Sequence, residues 1–450
     1  MYLGSQKPRR RDSPWRVLVL VILVIGGVLV IRAQLRGARW ARPFHPTPIP
    51  TRTAESYFDE GEALYDEGLL DEAIAAYENA FRADPEDNIA LVRLVRLLTI
   101  RHRTDEVLSQ FGVRLQDEEL GDARTLAVLG MALDWHAVVN TENLLPVYIE
   151  LGVISDEDVQ AEDWEYSRER MARQLVRTGH KMCEQALRLD SDLPEGYAYM
   201  AETLADRERF EEALAAAQTA VELNPNLPDT QRALAYVYES QGDYELAVQA
   251  YENAISAHPR LSFLYIAIGK NYRAIGFGLV LEGKQDEARL HFDQAVAAFG
   301  EAIKLDPSGP ESYDEIGWTF GHYMGYLGGD REMMQRGVDY LEDAIAQNPE
   351  YALAYRHLGQ VFYFLRNYEE AIPAFEQGLE LGGLPPADVI QSRIMLGWSY
   401  YILDLDNEDI EDPCTHAVEH FRAAWDALDE LPQRELDLES MARQGLDECK

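Results

Sequence analysis

Cysteine is scarce in this chain. The three present, Cys183, Cys414 and Cys449, are too few and too widely spaced for a disulfide framework or a CxxC metal site. Basic residues are short as well: 41 Lys and Arg stand against 79 Asp and Glu, a formal net charge of −38. Ten of the 41 fall in residues 1–53, where Asp12 is the only acid. The remainder therefore holds 31 bases against 78 acids, a net of −47. Such a body is repelled by phosphate backbones, which excludes nucleic acid as a natural partner. Catalytic signatures are missing too. There is no Gly-rich phosphate loop, no G-x-S-x-G elbow and no H-E-x-x-H helix. Acids are so numerous that no pair stands out as a catalytic dyad. The sequence points to no enzyme, no cofactor and no metal.

What the chain does have is a period. The stretch Pro228–Leu261 is 34 residues long, with Leu234 and Ala235, then Tyr238, Gly242, Ala247, Tyr251, Ala254 and Pro259. Small residues at Ala235 and Ala247 let two helices approach closely, and Leu234, Tyr238 and Tyr251 fill the space between them. Gly242 suits the left-handed end of a first helix, and Pro259 stops a second. This pattern resembles the tetratricopeptide (TPR) repeat, W-x2-L-G-x2-Y, then A-x3-F, then P at a 34-residue period. The resemblance implies an all-α, right-handed TPR-type α-solenoid of helix-turn-helix repeats. One such hairpin cannot bury its own apolar face and needs neighbours.

The resemblance covers residues 54–428. Repeats are expected near 54–87, 88–117 (degenerate), 123–190 (with an insertion at 136–165), 194–227, 228–261, 262–309, 310–351, 352–385 and 390–428, with a capping helix over 432–449. In 262–309, Gly269 lies 33 positions before Ala302, where a standard repeat has 19. The surplus of 14 divides into seven per helix, so both helices are expected to lengthen together by about two turns. In 310–351 a smaller surplus gathers around Gly325–Gly329.

The basic N-terminal tail, 1–14, leads into one long apolar run, Val17–Ile31, bracketed by Arg16 and Arg32. With help from its flanks, 15–34 is expected to be a transmembrane signal-anchor helix. A cleaved signal peptide is the rival, but Ile31-Arg32-Ala33 makes a poor cleavage site. The positive charge is nearly balanced across the run. The short tail favours a single-pass membrane protein with its N-terminus in the cytoplasm and the TPR domain outside it. A Pro-rich linker, 35–53, would follow.

In TPR proteins the first helices line the concave face, and repeat positions 2, 5, 9, 12 and 13 commonly touch a peptide. Carried over residue by residue, those positions include Arg232, Tyr236, Lys270, Arg273, Trp318, His322, Arg356, Gln360 and Tyr363. Arginine and large aromatics are what binding hot spots are made of. The expectation is a membrane-tethered, non-catalytic scaffold or adaptor that binds a protein or peptide partner in this groove. The alternative is an accessory subunit of a cell-envelope enzyme or assembly complex that supplies a catalytic or metal group. Only Cys414, His416 and His420 suggest such a group, and ordinary surface residues account for them better. The acidic run Asp404–Asp412 lacks the glycine and spaced glutamate of a calcium loop.

Overall fold

The computed structural model describes Trp15, residues 52–116, 122–139, 142–160, 166–405, 412–428, Leu431 and 436–449. From Thr53 onward the chain is one compact unit. Among the described residues it is built of helices alone.

The first hairpin shows the rule of construction. Helix α1, Ala54–Glu67, starts on the Thr53 side chain, which accepts from the Ser56 N–H, and ends at Gly68. Helix α2, Leu70–Ala83, returns against it. Gly61 lies flat under the Tyr77 ring, and a Cβ there would come within 2.6 Å of Tyr77 Cε1. The same glycine-under-aromatic seat recurs at Gly359 on Phe375 and Gly397 on Phe421, so the period seen in the sequence is a period of helix–helix contact.

The array continues with α3, Asn88–Ile100, and α4, Thr104–Leu115. Next comes α5, Ala123–His136. Two short helices, α6 (Leu145–Glu150) and α7 (Asp156–Val159), occupy the insertion, where Tyr148 sits buried with its hydroxyl 2.7 Å from His136 Nε2. Helix α8, Arg168–Leu189, then packs on α5. The pairs α9 (Pro194–Ala205) with α10 (Phe210–Leu223) and α11 (Pro228–Gln241) with α12 (Tyr244–Ala257) follow. Helices α13 (Ser262–Leu281) and α14 (Gln285–Leu305) run 20 and 21 residues, against 14 each for α11 and α12.

The surplus in 310–351 is taken up differently. Helix α15, Pro310–Trp318, widens into a π-helical stretch, Thr319–Leu327, before α16, Arg331–Gln347. Here Gly337 meets Gly321 so closely that a Cβ on Gly337 would lie 2.6 Å from the Gly321 Cα. Helices α17 (Ala352–Leu365), α18 (Tyr368–Leu381), α19 (Pro386–Leu405), α20 (Cys414–Ala427) and α21 (Leu436–Glu448) complete the array.

The solenoid also touches itself across its own axis. The last turn of α1 and the Gly68 that follows it meet the turn after α12: the Tyr65 ring lies 6.3 Å from the His258 ring, and a Cβ on Gly68 would strike the Arg260 carbonyl. Gly68 is fixed twice over, by that approach and by its φ of +81°. Deeper in, Arg96 of α3 grips Asp229 of α11 through Nε at 2.9 Å and Nη2 at 2.7 Å, with side chains only 6% and 1% exposed. Arg101 reaches Asp306, beyond α14, at 2.8 Å. The first two hairpins are thereby locked onto residues 228–311.

Two expectations are corrected here. The placement as a single-pass membrane protein, N-terminus in the cytoplasm and repeats outside, does not stand: among the described residues no helix is long and apolar enough to cross a membrane. The longest helices carry charge along their length, as at Lys270 and Arg273 in α13, because their length serves the repeat stack. The segment 15–34 on which that expectation rested lies, Trp15 apart, outside the described residues, as do 1–14 and most of the linker 35–53. Second, the cysteines are not all free. Cys414 and Cys449 form a disulfide across 35 residues, tying the end of α21 to the start of α20, while Cys183 is free and buried. Sequence spacing could not show that the array folds these two ends together. The acidic run at 406–411 is likewise outside the described residues.

Candidate functional site

The self-contact encloses a chamber. A cavity of about 370 Å³ opens between the turn at Ile100–Thr104, the end of α5, and helices α9, α11, α12 and α13. That volume falls within the range of about 300–1,000 Å³ usual for ligand pockets.

Five carboxylates and two permanent cations face the chamber. Both cations are already engaged. Arg232 is buried, pairs with Glu202 at 2.7 Å and lies over the Trp135 ring at 4.9 Å. The Trp135 indole N–H donates to the other Glu202 oxygen at 2.9 Å. Lys270 reaches Glu311 at 2.6 Å and Glu315 at 3.2 Å. Three carboxylates remain without an ion pair among the described residues. Glu239 accepts from the Asn271 amide, and Asp206, at the mouth, accepts from the Tyr236 hydroxyl. Asp134 is only 3% exposed, and its Oδ1 has no hydrogen-bond partner. Burial, reinforced by the nearby Asp206 and Glu202 carboxylates, pushes the Asp134 carboxyl well above its ordinary value. Burial also raises Glu202, against the opposing pull of Arg232 and the Trp135 N–H. The walls between these groups are apolar or aromatic: Trp135, Tyr251, Phe263 and the exposed valines Val138 and Val139.

The nine residues expected on the concave face separate into two groups. Arg232, Tyr236 and Lys270 line the chamber. Arg273, beside it, pairs with Glu315 and covers the Tyr323 ring at 5.4 Å. The other five gather around the π-helical turn. Trp318, 9% exposed, is stacked between His322 at 4.4 Å and His357 at 4.3 Å. Arg356 lies over Trp318 at 5.5 Å and pairs with Asp388 at 2.8 Å. Gln360 is buried, and Tyr363 meets Phe364 edge-on at 6.2 Å. Burial, then the neighbouring His357 and Arg356, lowers the His322 imidazole to about 4, so it is neutral at pH 7. This second group is a packed column, with its charges answered from within.

Asp134, Trp135, Glu202 and Asp206 were not among the residues singled out from the sequence, whereas Glu239 stands at repeat position 12 of 228–261, one of the concave-face positions. One signal was available: Asp134 is the lone acid in the apolar helix Ala123–His136. Cys414, being oxidised, is unavailable as a ligand; His416 contacts Asp404 at 3.0 Å and His420 stacks on Tyr400 at 5.4 Å.

The tetratricopeptide repeat family model matches residues 58–106, 199–262 and 335–386. No curated protein matches the sequence. Among solved structures, the human IFIT1 dimer with PPP-AAAA is 14% identical with a TM-score of 0.50, over 89% of this chain and 84% of that one. A thermophilic TPR protein from Thermus thermophilus is 16% identical with a TM-score of 0.38, over 45% of this chain and 99% of its own. Pseudomonas aeruginosa pilF is 17% identical with a TM-score of 0.37, over 57% and 98%. At these identities the likeness concerns the fold alone.

Proposed function

Since this chain is a tetratricopeptide-repeat protein, we propose that it is a non-catalytic interaction scaffold that takes a segment of a partner protein into the chamber between its first and middle repeats. TPR arrays hold proteins and peptides, and that general role is the starting point. The observation that carries the finer reading is the chamber itself: a cavity of about 370 Å³ with apolar walls, exposed valines at its mouth and carboxylates left unpaired. Large apolar walls with a few placed polar groups are the usual make-up of a binding site. Arg232, Tyr236 and Lys270 are assigned to partner contact. Arg273, Trp318, His322, Arg356, Gln360 and Tyr363 are assigned to holding the concave wall that continues from it.

The PPP-AAAA bound by the IFIT1 structure is not carried over as a ligand. A phosphate chain entering this chamber would meet Asp134, Asp206, Glu239 and Glu311, and the two cations there are already neutralised.

A photo-crosslinking side chain at Val139, on the mouth, and another at Leu290, exposed on α14 away from the chamber, test the reading in the native host. Partner adducts at Val139 and not at Leu290 are expected. Adducts at Leu290 alone, or at neither, overturn it.

A further inference from the structure

We propose that the chamber binds a primary ammonium group on an apolar stem, with Asp134 and Asp206 as its counter-ions. This rests on the chamber's being the recognition site and adds the chemistry of what enters it.

Charge is the first argument. Arg232 is matched by Glu202, and Lys270 by Glu311 and Glu315. With those pairs set aside, the chamber keeps Asp134, Asp206 and Glu239 and has no cation for them among the described residues. The second argument is the orphaned atom. Asp134 Oδ1 is buried in the cavity wall and unpartnered. A buried acceptor left without a donor is costly, and natural chains leave few of them. A donor arriving with a positive charge answers both the missing hydrogen bond and the missing charge. The third argument is the wall. Trp135 is already covered by Arg232 and stacked on His102. Tyr251 and Phe263 are the other aromatic groups of the lining, and rings attract cations, while Val138 and Val139 offer an apolar lining for the stem that carries one.

The kind of cation follows from the placement of the acids. Asp134 lies deep on α5 and Asp206 at the mouth, just past α9. A guanidinium docks its planar fork on one carboxylate, whereas an ammonium is a compact point charge whose three donors turn to groups on different helices. Among the described residues no three ligating side chains converge closely enough to hold a metal ion.

Two sources share this chemistry: the side chain of a lysine in a partner segment, and a free aliphatic diamine. Isothermal titration calorimetry of the full chain distinguishes them with three probes: Nα-acetyl-lysine methylamide, its Nε-acetylated form, and 1,5-diaminopentane. Saturable binding of at least one ammonium probe is expected, with none for the Nε-acetylated form. Tighter binding of the lysine probe assigns the site to a partner's lysine, and tighter binding of the diamine assigns it to a free amine. Asp134→Asn keeps the shape and removes the charge. It should weaken ammonium binding at least about tenfold, as losing a hydrogen bond to a charged group does. Thermal melting of the same variant shows whether it is folded, and Glu301→Gln, which alters a carboxylate on exposed α14, should bind as wild type does. Equal binding of the Nε-acetylated probe, no binding of any ammonium probe at millimolar concentration, or full affinity in a folded Asp134→Asn chain overturns the proposal. If crosslinks still form at Val139 in that event, the ligand chemistry is wrong and the chamber reading stands. If they do not, both fall.

Discussion

The grip of Arg96 on Asp229 is the deepest link between the first repeats and the middle ones, and replacing Arg96 with methionine should release them. The guanidinium makes a two-oxygen contact with Asp229 at 2.9 Å, donates to the Tyr65 hydroxyl at 3.0 Å and lies 5.2 Å from the Tyr65 ring. Tyr199 adds a hydrogen bond to Asp229 at 3.0 Å. Removing one partner of a buried pair leaves the other charge uncompensated, at a cost of about 3–5 kcal/mol. In hydrogen exchange that is a loss of protection of roughly a hundred- to several-thousandfold. It should fall on residues 54–100 and 228–241, while α17 to α20 exchange as before, because each repeat of a solenoid depends chiefly on its neighbours. The pH dependence gives a second reading. Burial would raise the Asp229 carboxyl, but Arg96 outweighs it and holds the group down at about 2. Its folded value is below its ordinary 3.8, so the stabilisation is present above pH 3.8 and is lost as the pH falls through about 2. The gap between wild type and Arg96→Met should therefore narrow over that interval. Asp229→Asn added to Arg96→Met should cost much less than it does alone. A protection loss below about tenfold, or additive effects of the two substitutions, would refute the reasoning.

Three further outcomes are expected. Asp134→Asn should stabilise the ligand-free protein at neutral pH. The native carboxyl titrates above its ordinary 3.8, so the two proteins should melt together below that pH, and the variant should gain as the pH rises through the raised native value; equal melting at all pH values counts against a buried, unpaired Asp134. Trp318→Ala should destabilise the array locally by about 3–5 kcal/mol, read as exchange in α15 to α17, because the indole is clamped between two imidazoles; an unchanged profile would place the side chain in solvent instead. Cys414→Ser should free α21, worth about 2–4 kcal/mol for a loop of this size, and speed proteolysis within 436–449 without changing the chamber; equal cleavage rates would mean that packing alone holds the helix.

The local geometry of the repeats was legible because it is written in residue types at fixed spacing. Gly61, Gly359 and Gly397 leave room for one aromatic ring each, and the prolines at 194, 228 and 310 stand at helix starts. The surplus of 14 residues in 262–309 appears as two helices of 20 and 21 residues. What could not be read is any contact that depends on the curvature of the whole array. No spacing rule links Arg96 to Asp229, Arg101 to Asp306 or Cys414 to Cys449. The chamber exists because of the first two of these, so its carboxylates looked like ordinary surface acids among 79. The repeat positions did reach Arg232, Tyr236, Glu239 and Lys270, and positions 9 and 13 of 194–227 are Glu202 and Asp206, but Asp134 and Trp135 come from α5, where the repeat pattern is broken. The π-helical turn at Thr319–Leu327 was also hidden, since its glycines read equally well as a loop.

The chamber depends on the first hairpins closing onto residues 228–311. Carbodiimide coupling of an Arg101→Lys variant tests this directly. The lysine amine would stand in for a guanidinium that lies 2.8 Å from Asp306 and 2.5 Å from Asp71, and a zero-length reagent joins only an amine and a carboxylate already in contact. Peptide mapping should find an amide between position 101 and Asp306 within single chains. Coupling to Asp71 alone, with Asp306 unmodified by position 101, would mean that the array is open and the chamber is not there.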